Sequence, residues 1–139
     1  MLFLKENDLN VETYLKLRNA VEWVALDEKQ AELALENSLY IVTAYDGDKA
    51  VGMGRLVGDG AVICYIQDLI VIPEYQGKKI GSMVIDRLIS KADEMRIPGT
   101  KMMLDLMCAK GREVFYEKHG FIARPTEKLG PGMIQYLED

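Results

Sequence analysis

The amino-acid sequence predicts a mixed α/β fold, because segments with strand periodicity and segments with helix periodicity share one short chain. Three observations carry this prediction. An apolar, β-branched run from Ile66 to Ile72 is closed by Pro73, as expected for a buried strand. A glycine-bearing loop follows, and apolar residues then recur at helical spacing from Met83 to Ile89. Upstream, Asp46-Gly47 stands between two apolar runs and predicts a β-hairpin.

The remaining elements follow the same two periodicities. Strand-like runs lie at residues 1–6, 39–45, 50–57, 61–72, 101–108, 121–123 and 133–137. Helical spacing marks residues 11–24, 27–36, 83–96 and 110–119, with Asp27 as N-cap of the second helix and Gly120 in the C′ position of the fourth. The sequence therefore predicts a twisted, mostly antiparallel sheet of six to seven strands flanked by about four helices.

The composition fits one globular domain that spans residues 1–139. The chain is 49% hydrophobic and 28% charged, which provides enough apolar side chains for a single core. Its formal net charge of -5 argues against a nucleic-acid partner, because such partners require a basic face. No apolar run reaches membrane-spanning length, and the first residues lack the pattern of a signal peptide. A cytoplasmic protein without a membrane partner is therefore expected.

The cysteines and the single histidine do not suggest a metal site. Cys64 and Cys108 both lie in apolar, strand-like runs and are expected to be buried free thiols. His119 stands beside Gly120 and is expected to cap a helix C-terminus while facing solvent. One histidine and two separated cysteines do not make a coordination set, so no metal is expected.

The loop between the strand that ends at Ile72 and the following helix has the features of an anion site. Its residues are Gln76, Gly77, Lys78, Lys79, Ile80, Gly81 and Ser82. The first N–H groups of a helix lack intrahelical partners and point together, so they favour a phosphate group. Glycine used for packing alone is the alternative interpretation. A P-loop is excluded because Lys79 stands where Ser or Thr is required, and Gly52-Met53-Gly54 lies inside a strand, which excludes a dinucleotide fingerprint.

Two short motifs stand in a characteristic order along the chain. Residues 69–81 read LIVIPEYQGKKIG, and residues 115–121 read FYEKHGF. The first resembles motif A of the GCN5-related N-acetyltransferase (GNAT) family, and the second is similar to its motif B, a Tyr-bearing helix that runs into Gly-Phe. The resemblance extends over essentially the whole chain. It implies the GNAT acyl-CoA acyltransferase fold, in which strands four and five splay apart.

The resemblance also implies an activity. Members of the family transfer the acetyl group of acetyl-CoA to a primary amine by direct attack within a ternary complex. Their acceptors include small amines, antibiotics, amino acids and protein N-termini. A small-molecule amine is favoured here, a peptide amine is the alternative, and a homodimer is compatible with the family.

The cofactor-binding residues are carried over from the same two motifs. The resemblance implies that acetyl-CoA contacts the backbone of Leu69, Ile70 and Val71, the loop residues 76–82, and Tyr116. The pantetheine arm would enter the splay as a surrogate strand, because backbone groups left unpaired inside a protein need a partner.

Three positions depart from the family pattern. Lys79 occupies a position that is usually Gly, and its side chain is expected to point outward toward solvent or phosphate. Tyr65 or Gln67 stands where many relatives carry Glu, and Ala109 stands where they carry Asn. The last two departures concern catalysis more than cofactor binding.

The chemistry requires a neutral amine and a proton for the departing thiolate. Tyr116 is the candidate general acid, because a phenol with a pKa near ~10 is protonated at neutral pH. Asp68 is the only carboxylate on the central strand and is the candidate base. Strand alternation, however, predicts that Asp68 faces away from Tyr65, Gln67 and Leu69. A structural role, in which Asp68 bonds loop backbone beneath the site, is therefore the alternative. Deprotonation through ordered water, with Tyr65 or Glu22 nearby, is equally compatible with the sequence.

Trp23 and Arg55 are the candidate acceptor-binding side chains. Trp23 follows the first predicted helix and either faces the substrate or anchors the core, and the core position is favoured. Gly52 and Gly54 inside a strand indicate a bulge or a place where another group approaches the strand. Arg55 lies near that place and either holds an anionic part of a substrate or is solvated on its strand, which is the favoured interpretation.

Two other function classes stay open at the level of sequence. A non-catalytic module that binds or senses acyl-CoA would keep the loop without needing Tyr116. A protein-interaction domain with a vestigial loop would bind no CoA ester.

Overall fold

The computed structural model describes residues 1–139 and divides them into two compact units, residues 1–106 and residues 107–139. The first unit contains β1 (Leu2–Glu6), α1 (Val11–Ala20), α2 (Glu28–Glu36), β2 (Tyr40–Asp46), β3 (Lys49–Gly58), β4 (Ile63–Val71), α3 (Ile80–Met95) and β5 (Met103–Leu106). A single 3-10 turn, Pro73–Tyr75, follows β4. The second unit contains α4 (Glu113–Glu117).

The five strands form one sheet in the order β1-β2-β3-β4-β5. The first three pairings are antiparallel, and β5 alone runs parallel to its neighbour β4. The mixed α+β fold and the mostly antiparallel sheet are thus confirmed, with five strands instead of six to seven. Residues 121–123 and 133–137 form no strand, and apolar side chains there, such as Ile122 and Ile134, are exposed instead of packed against a sheet face.

Helix α3 packs closely on the sheet because β3 carries glycine where the helix crosses it. A Cβ atom on Gly54 would lie 2.6 Å from Leu88 Cδ1 and 2.9 Å from Val84 Cγ1, closer than real Cβ atoms approach their neighbours. Val84, Ile85 and Leu88 are fully buried beneath the helix. The prediction that a group approaches the strand at its glycines is confirmed, and the approaching group is this helix.

The helix ends follow local capping chemistry. Asn10 caps α1 by accepting the N–H of Thr13, and Asp27 forms a capping box with Gln30 at the start of α2, as predicted for Asp27. The first helix ends at Ala20, several residues before its predicted end, because Glu22 takes a left-handed conformation with φ +60°.

Two other elements are shorter than predicted, and one predicted burial is wrong. Strand β5 and helix α4 occupy only the centres of the predicted segments 101–108 and 110–119. Cys64 is buried as predicted, whereas Cys108 is exposed, because β5 ends before it and its side chain has no sheet to pack against. None of the helices is long and apolar enough to cross a membrane.

Asp59 organises the turn between β3 and β4. Its Oδ1 accepts the backbone N–H groups of Ala61 and Val62 at 2.8 Å and of Ile63 at 3.0 Å. These bonds, with that of Ile63 contributing most, hold the pKa of the Asp59 carboxyl below its ordinary value of 3.8. The ionised carboxylate is therefore the form that stabilises the turn.

We expect Asp59→Ala to lower the thermal unfolding midpoint at neutral pH and to weaken the dependence of stability on acid. A carboxyl with a depressed folded pKa stabilises fully above its unfolded pKa, and this contribution is lost as the pH falls through the folded pKa. Thermal unfolding at neutral pH and near pH ~2.5 measures both effects. Asp48→Ala, at an exposed position in the neighbouring turn, is the control. An unchanged acid dependence in Asp59→Ala would contradict this assignment.

Candidate active site

A β-bulge interrupts β4 at the centre of the sheet. In the pairing of β3 with β4, Gly54 alone stands opposite two residues, Asp68 and Leu69. Asp68 has φ +56°, a left-handed conformation that Asp tolerates better than most residues. Arg55 pairs directly with Gln67, so the two side chains share a face, and Arg55 also bonds Asp68. The prediction that Asp68 and Gln67 face opposite ways is therefore wrong, because the inserted residue breaks the alternation.

Asp68 is the centre of a buried ion-pair group, here named the Asp68 cluster, that includes Tyr14, Arg18 and Arg55. Arg18 Nη1 donates to Asp68 Oδ1 at 2.7 Å, Arg55 Nε donates to Oδ2 at 2.8 Å, and the Tyr14 hydroxyl also donates to Oδ2. The Asp68 side chain has no exposed area. Burial, and then the bond to Asp68, raises the pKa of the Tyr14 hydroxyl, which keeps it a donor.

The hydrogen bonds that the Asp68 carboxylate accepts bear on its predicted role. Both carboxylate oxygens are engaged by donors from α1 and β3, which supports the structural alternative more than the role of base. Its partners are side chains, whereas the sequence suggested loop backbone. Tyr14 and Arg18 were missed, although a spacing of four residues places both on one face of a helix.

Arg55 links the sheet to α2. Its Nη1 donates to Ser38 Oγ at 3.2 Å and to the Ala34 carbonyl at 3.4 Å, and the residue is only 9% exposed. The favoured prediction of a solvated strand arginine is therefore wrong. A guanidinium with five donors can hold a carboxylate and a helix end together, which explains its burial here.

Trp23 lies over the Asp68 cluster and is not part of the core. Its residue exposure is 39%, and the Arg18 guanidinium carbon lies 5.2 Å from the centre of its ring. Arg18 Nη2 also donates to the Val24 carbonyl at 3.1 Å, which fixes the segment after α1. The favoured prediction of a core anchor is wrong because α1 ends at Ala20, before Trp23 can enter the helix–sheet interface.

The loop after β4 is held from both of its ends. Tyr75 donates its hydroxyl proton to Asp46 Oδ2 at 2.6 Å, and Gln76 Nε2 donates to the Val71 carbonyl at 3.0 Å. The bond to Asp46 raises the pKa of the Tyr75 hydroxyl, so this tie persists through neutral pH. Gly77 then takes φ +80°, a conformation that favours glycine.

Lys79 shows why the family pattern carries glycine at its position. It is the N-cap residue of α3 and lies in the left-handed region, with φ 66° and ψ 15°. A residue with a side chain pays about 1–2 kcal/mol for this conformation. Both Lys78 and Lys79 are exposed, in keeping with the expected outward direction of the Lys79 side chain.

The start of α3 has the features of an anion site. No side chain caps this helix, and its first turn carries no acidic residue. The N–H groups of Ile80 and Gly81, at the first two helical positions, have no intrahelical acceptor, and the helix dipole favours an anion there. The Ile80 side chain is buried in the core, so this residue contributes to the predicted cofactor set through its backbone only. The adjacent lysines supply further positive charge.

Strands β4 and β5 separate beyond the middle of β4. Their pairing begins at Ile63 with Met103 and ends at Ile66 with Leu106, whereas β4 continues to Val71. The predicted splay between strands four and five is therefore present. The half of β4 that contains Leu69, Ile70 and Val71 has no β5 partner, which leaves an edge that an extended amide-bearing ligand can pair with.

Asp105 was not among the residues predicted from the sequence, although it is the one charged residue of β5. It pairs in register with Tyr65, so its side chain lies on the face that Tyr65 shares with Gln67 and Arg55. Its Oδ1 is buried and has no hydrogen-bond partner. Burial raises the pKa of the Asp105 carboxyl above its ordinary value.

Tyr116 lies in α4 of the second unit. Its ring makes edge contacts with Phe115 at 5.0 Å and with Phe121 at 6.0 Å between centroids. Gly120 takes φ +91° after the helix, as predicted. His119 is half-buried, with 5.0 Å between the centroids of its ring and the Phe115 ring, so the prediction that it faces solvent is only partly confirmed.

No group of three or more His, Cys, Asp and Glu side chains is arranged to hold a metal ion.

Comparisons with known proteins agree with this geometry. A family model described as an acetyltransferase (GNAT) domain matches residues 36–123. A GNAT-family acetyltransferase from Streptococcus pneumoniae TIGR4 is 33% identical with a TM-score of 0.84, and the match covers 100% of both chains. A probable acetyltransferase of unknown function from meticillin-resistant Staphylococcus aureus is 31% identical with a TM-score of 0.85, covering 98% of this chain and 100% of that one. An uncharacterised N-acetyltransferase from Pyropia yezoensis is 29% identical over 134 residues, which are 93% of this chain and 75% of that protein.

The unpaired half of β4, followed by the glycine-bearing start of α3, is the arrangement that the two motifs predict for a GNAT acyltransferase. The match covers well over half of the chain, and the sequence motifs lie within it. The chain belongs to the GNAT acetyltransferase family.

Proposed function

We propose that this protein is an acetyl-CoA-dependent N-acetyltransferase that acylates a primary amine by direct attack within a ternary complex. A small-molecule amine is the favoured acceptor. The observation that carries the proposal is the junction of β4 and α3, where an unpaired strand edge is joined by the loop of residues 72–79 to a helix start without a side-chain cap. A pantetheine arm with two amides, joined to a diphosphate, matches these two features in the same order.

Two sets of residues would bind the two parts of acetyl-CoA. The N–H groups at the start of α3, with Lys78 and Lys79, would hold the diphosphate, and the backbone of Leu69 and Val71 would pair with the pantetheine amides. When bound, acetyl-CoA supplies the acetyl group as a thioester. Tyr116 would then protonate the departing sulfur, because a phenol carries a proton at neutral pH.

The acceptor would approach from the face that carries the Asp68 cluster. Trp23 is exposed on this face, beside a buried network that fixes α1, α2 and the bulge relative to one another. An exposed aromatic ring held by Arg18 offers a contact for the body of an amine substrate. Asp68 would then act by positioning these elements.

The first experiment is a calorimetric and thermal-shift titration with acetyl-CoA of the wild-type protein and of Gly81→Glu. The variant puts a carboxylate into the first turn of α3, where it repels phosphate and competes for the same N–H groups. Acetyl-CoA at about 100 times its Kd should stabilise the wild-type protein by roughly 2.7 kcal/mol, and the variant should show no such shift.

Gly130→Glu is the matched control for the added charge. Gly130 has open space around its Cβ position and no left-handed conformation, so the same substitution there should leave binding unchanged. A folded wild-type protein that binds no acetyl-CoA would overturn the proposal. Binding without acetylation of any amine would instead indicate a module that only binds acyl-CoA.

A further inference from the structure

We propose that Asp105 is the carboxylate that receives the protonated amine of the acceptor and takes its proton. This inference rests on the proposed function, because it assigns a role within the acetyl transfer. It adds a residue that lies outside both sequence motifs, and it narrows the acceptor to amines that arrive as ammonium ions.

The position of Asp105 carries the first step of the argument. It pairs with Tyr65 one residue before the last pairing, Leu106 with Ile66, after which β4 and β5 separate. Neighbouring strands lie about 4.8 Å apart, so the Asp105 side chain stands beside Tyr65 at the start of the split. It shares its face of the sheet with Gln67 and Arg55, which is the face of the exposed Trp23.

The unmet hydrogen-bonding capacity of Asp105 carries the second step. Asp105 Oδ1 is buried without a donor, whereas the Asp68 carboxylate accepts hydrogen bonds from Tyr14, Arg18 and Arg55. A buried carboxylate oxygen without a partner is costly, so such a group points to a donor that arrives with a ligand. An ammonium ion brings both the N–H donors and the opposite charge.

The acid–base properties of Asp105 fit the second part of the role. Burial raises the pKa of its carboxyl, which makes the carboxylate a stronger proton acceptor than an exposed aspartate. A base can act directly or through one ordered water. Burial of the same carboxylate also destabilises the folded protein. The unfolding temperature of a variant at this position therefore gives a measurement that does not depend on activity.

The proton balance of the step is complete. Asp105 takes one proton from the ammonium group and leaves a neutral amine, whose nitrogen forms the C–N bond to the acetyl carbon as the C–S bond breaks. The sulfur leaves with the electron pair of that bond and takes a proton from Tyr116. The nitrogen loses a second proton, which restores Tyr116, and Asp105 releases its own proton to solvent.

The test compares the wild-type protein with Asp105→Asn on two probe amines at neutral pH. n-Butylamine arrives protonated, whereas p-anisidine arrives neutral and needs no proton removal before attack. We expect kcat/KM for n-butylamine to fall about 100-fold, the usual scale for loss of a general base. The rate for p-anisidine and the affinity for acetyl-CoA should change less than about twofold. Glu94→Gln, an exposed carboxylate on α3, is the matched control for charge.

The possible outcomes distinguish a failure of this inference from a failure of the proposed function. Equal losses for both amines, or no loss for either, would overturn the role of Asp105 while leaving acetyl transfer in place. If neither amine is acetylated by a wild-type protein that binds acetyl-CoA, the carboxyl ¹³C resonance of Asp105 is titrated with n-butylammonium chloride. A shift absent from other carboxyl groups supports the inference, and no shift overturns it. Asp105→Asn should unfold at the same or a higher temperature, and a lower midpoint would indicate a structural role.

Discussion

Replacement of Asp68 by asparagine is expected to lower the free energy of unfolding by about 3–5 kcal/mol, a large share of the roughly 5–15 kcal/mol typical of a small domain. Asn has nearly the size of Asp and tolerates the same left-handed conformation, so the substitution removes the charge and one acceptor oxygen with little change of shape. It leaves the Arg18 and Arg55 side chains, which are 13% and 11% exposed, without their counterion. Urea unfolding at neutral pH measures the loss.

Two further variants provide a control and a smaller expected loss for comparison. Asp48→Asn makes the same chemical change at an exposed position and should alter stability by less than about 0.5 kcal/mol. Tyr14→Phe removes one neutral donor from the Asp68 cluster and should cost roughly 1 kcal/mol. A loss below about 1 kcal/mol in Asp68→Asn would show that the two arginines find other partners or water.

Replacement of Tyr116 by phenylalanine is expected to lower kcat by about 10²–10⁴, the usual contribution of a general acid. The ring contacts with Phe115 and Phe121 depend on the aromatic ring, which Phe keeps, so the fold of the second unit should not change. The affinity for acetyl-CoA should fall little. Steady-state kinetics with the best amine from a screen, together with calorimetry, separate the two effects.

Tyr136→Phe is the matched control, because Tyr136 is 82% exposed in the same unit. Its kcat should equal that of the wild-type protein. An unchanged kcat in Tyr116→Phe would remove Tyr116 from the mechanism and would transfer protonation of the sulfur to water or to another group.

The parts of the fold that depend on local chemistry were predictable from the sequence. The apolar run before Pro73, the glycine-bearing loop and the periodicity of α3 follow from period and turn preference alone. The capping role of Asp27 and the left-handed Gly120 were predicted for the same reason, since a cap involves neighbours a few residues away. The loop and its motifs lie within this predictable class.

The parts that depend on pairing across the sheet were not predictable. The bulge at Asp68 is a relation between β3 and β4, and a single strand carries no mark of it beyond an acidic residue in an apolar run. Burial of Arg55 depends on a partner thirteen residues away, and exposure of Trp23 depends on where α1 ends. Asp105 shows the same limit, because its significance comes from the point at which two strands part.

The bulge in β4 also constrains how this protein can change over evolutionary time. Deletion of Asp68 would restore one-to-one pairing with β3, and Gln67 would stay opposite Arg55 and Ile70 opposite Met53, so the flanking side chains would keep their faces. The deletion would, however, remove the carboxylate that pairs with Arg18 and Arg55 and would leave both buried cations without a counterion. Homologous strands that keep both arginines should therefore also keep the inserted acidic residue, and with it the number of residues between Tyr65 and Pro73.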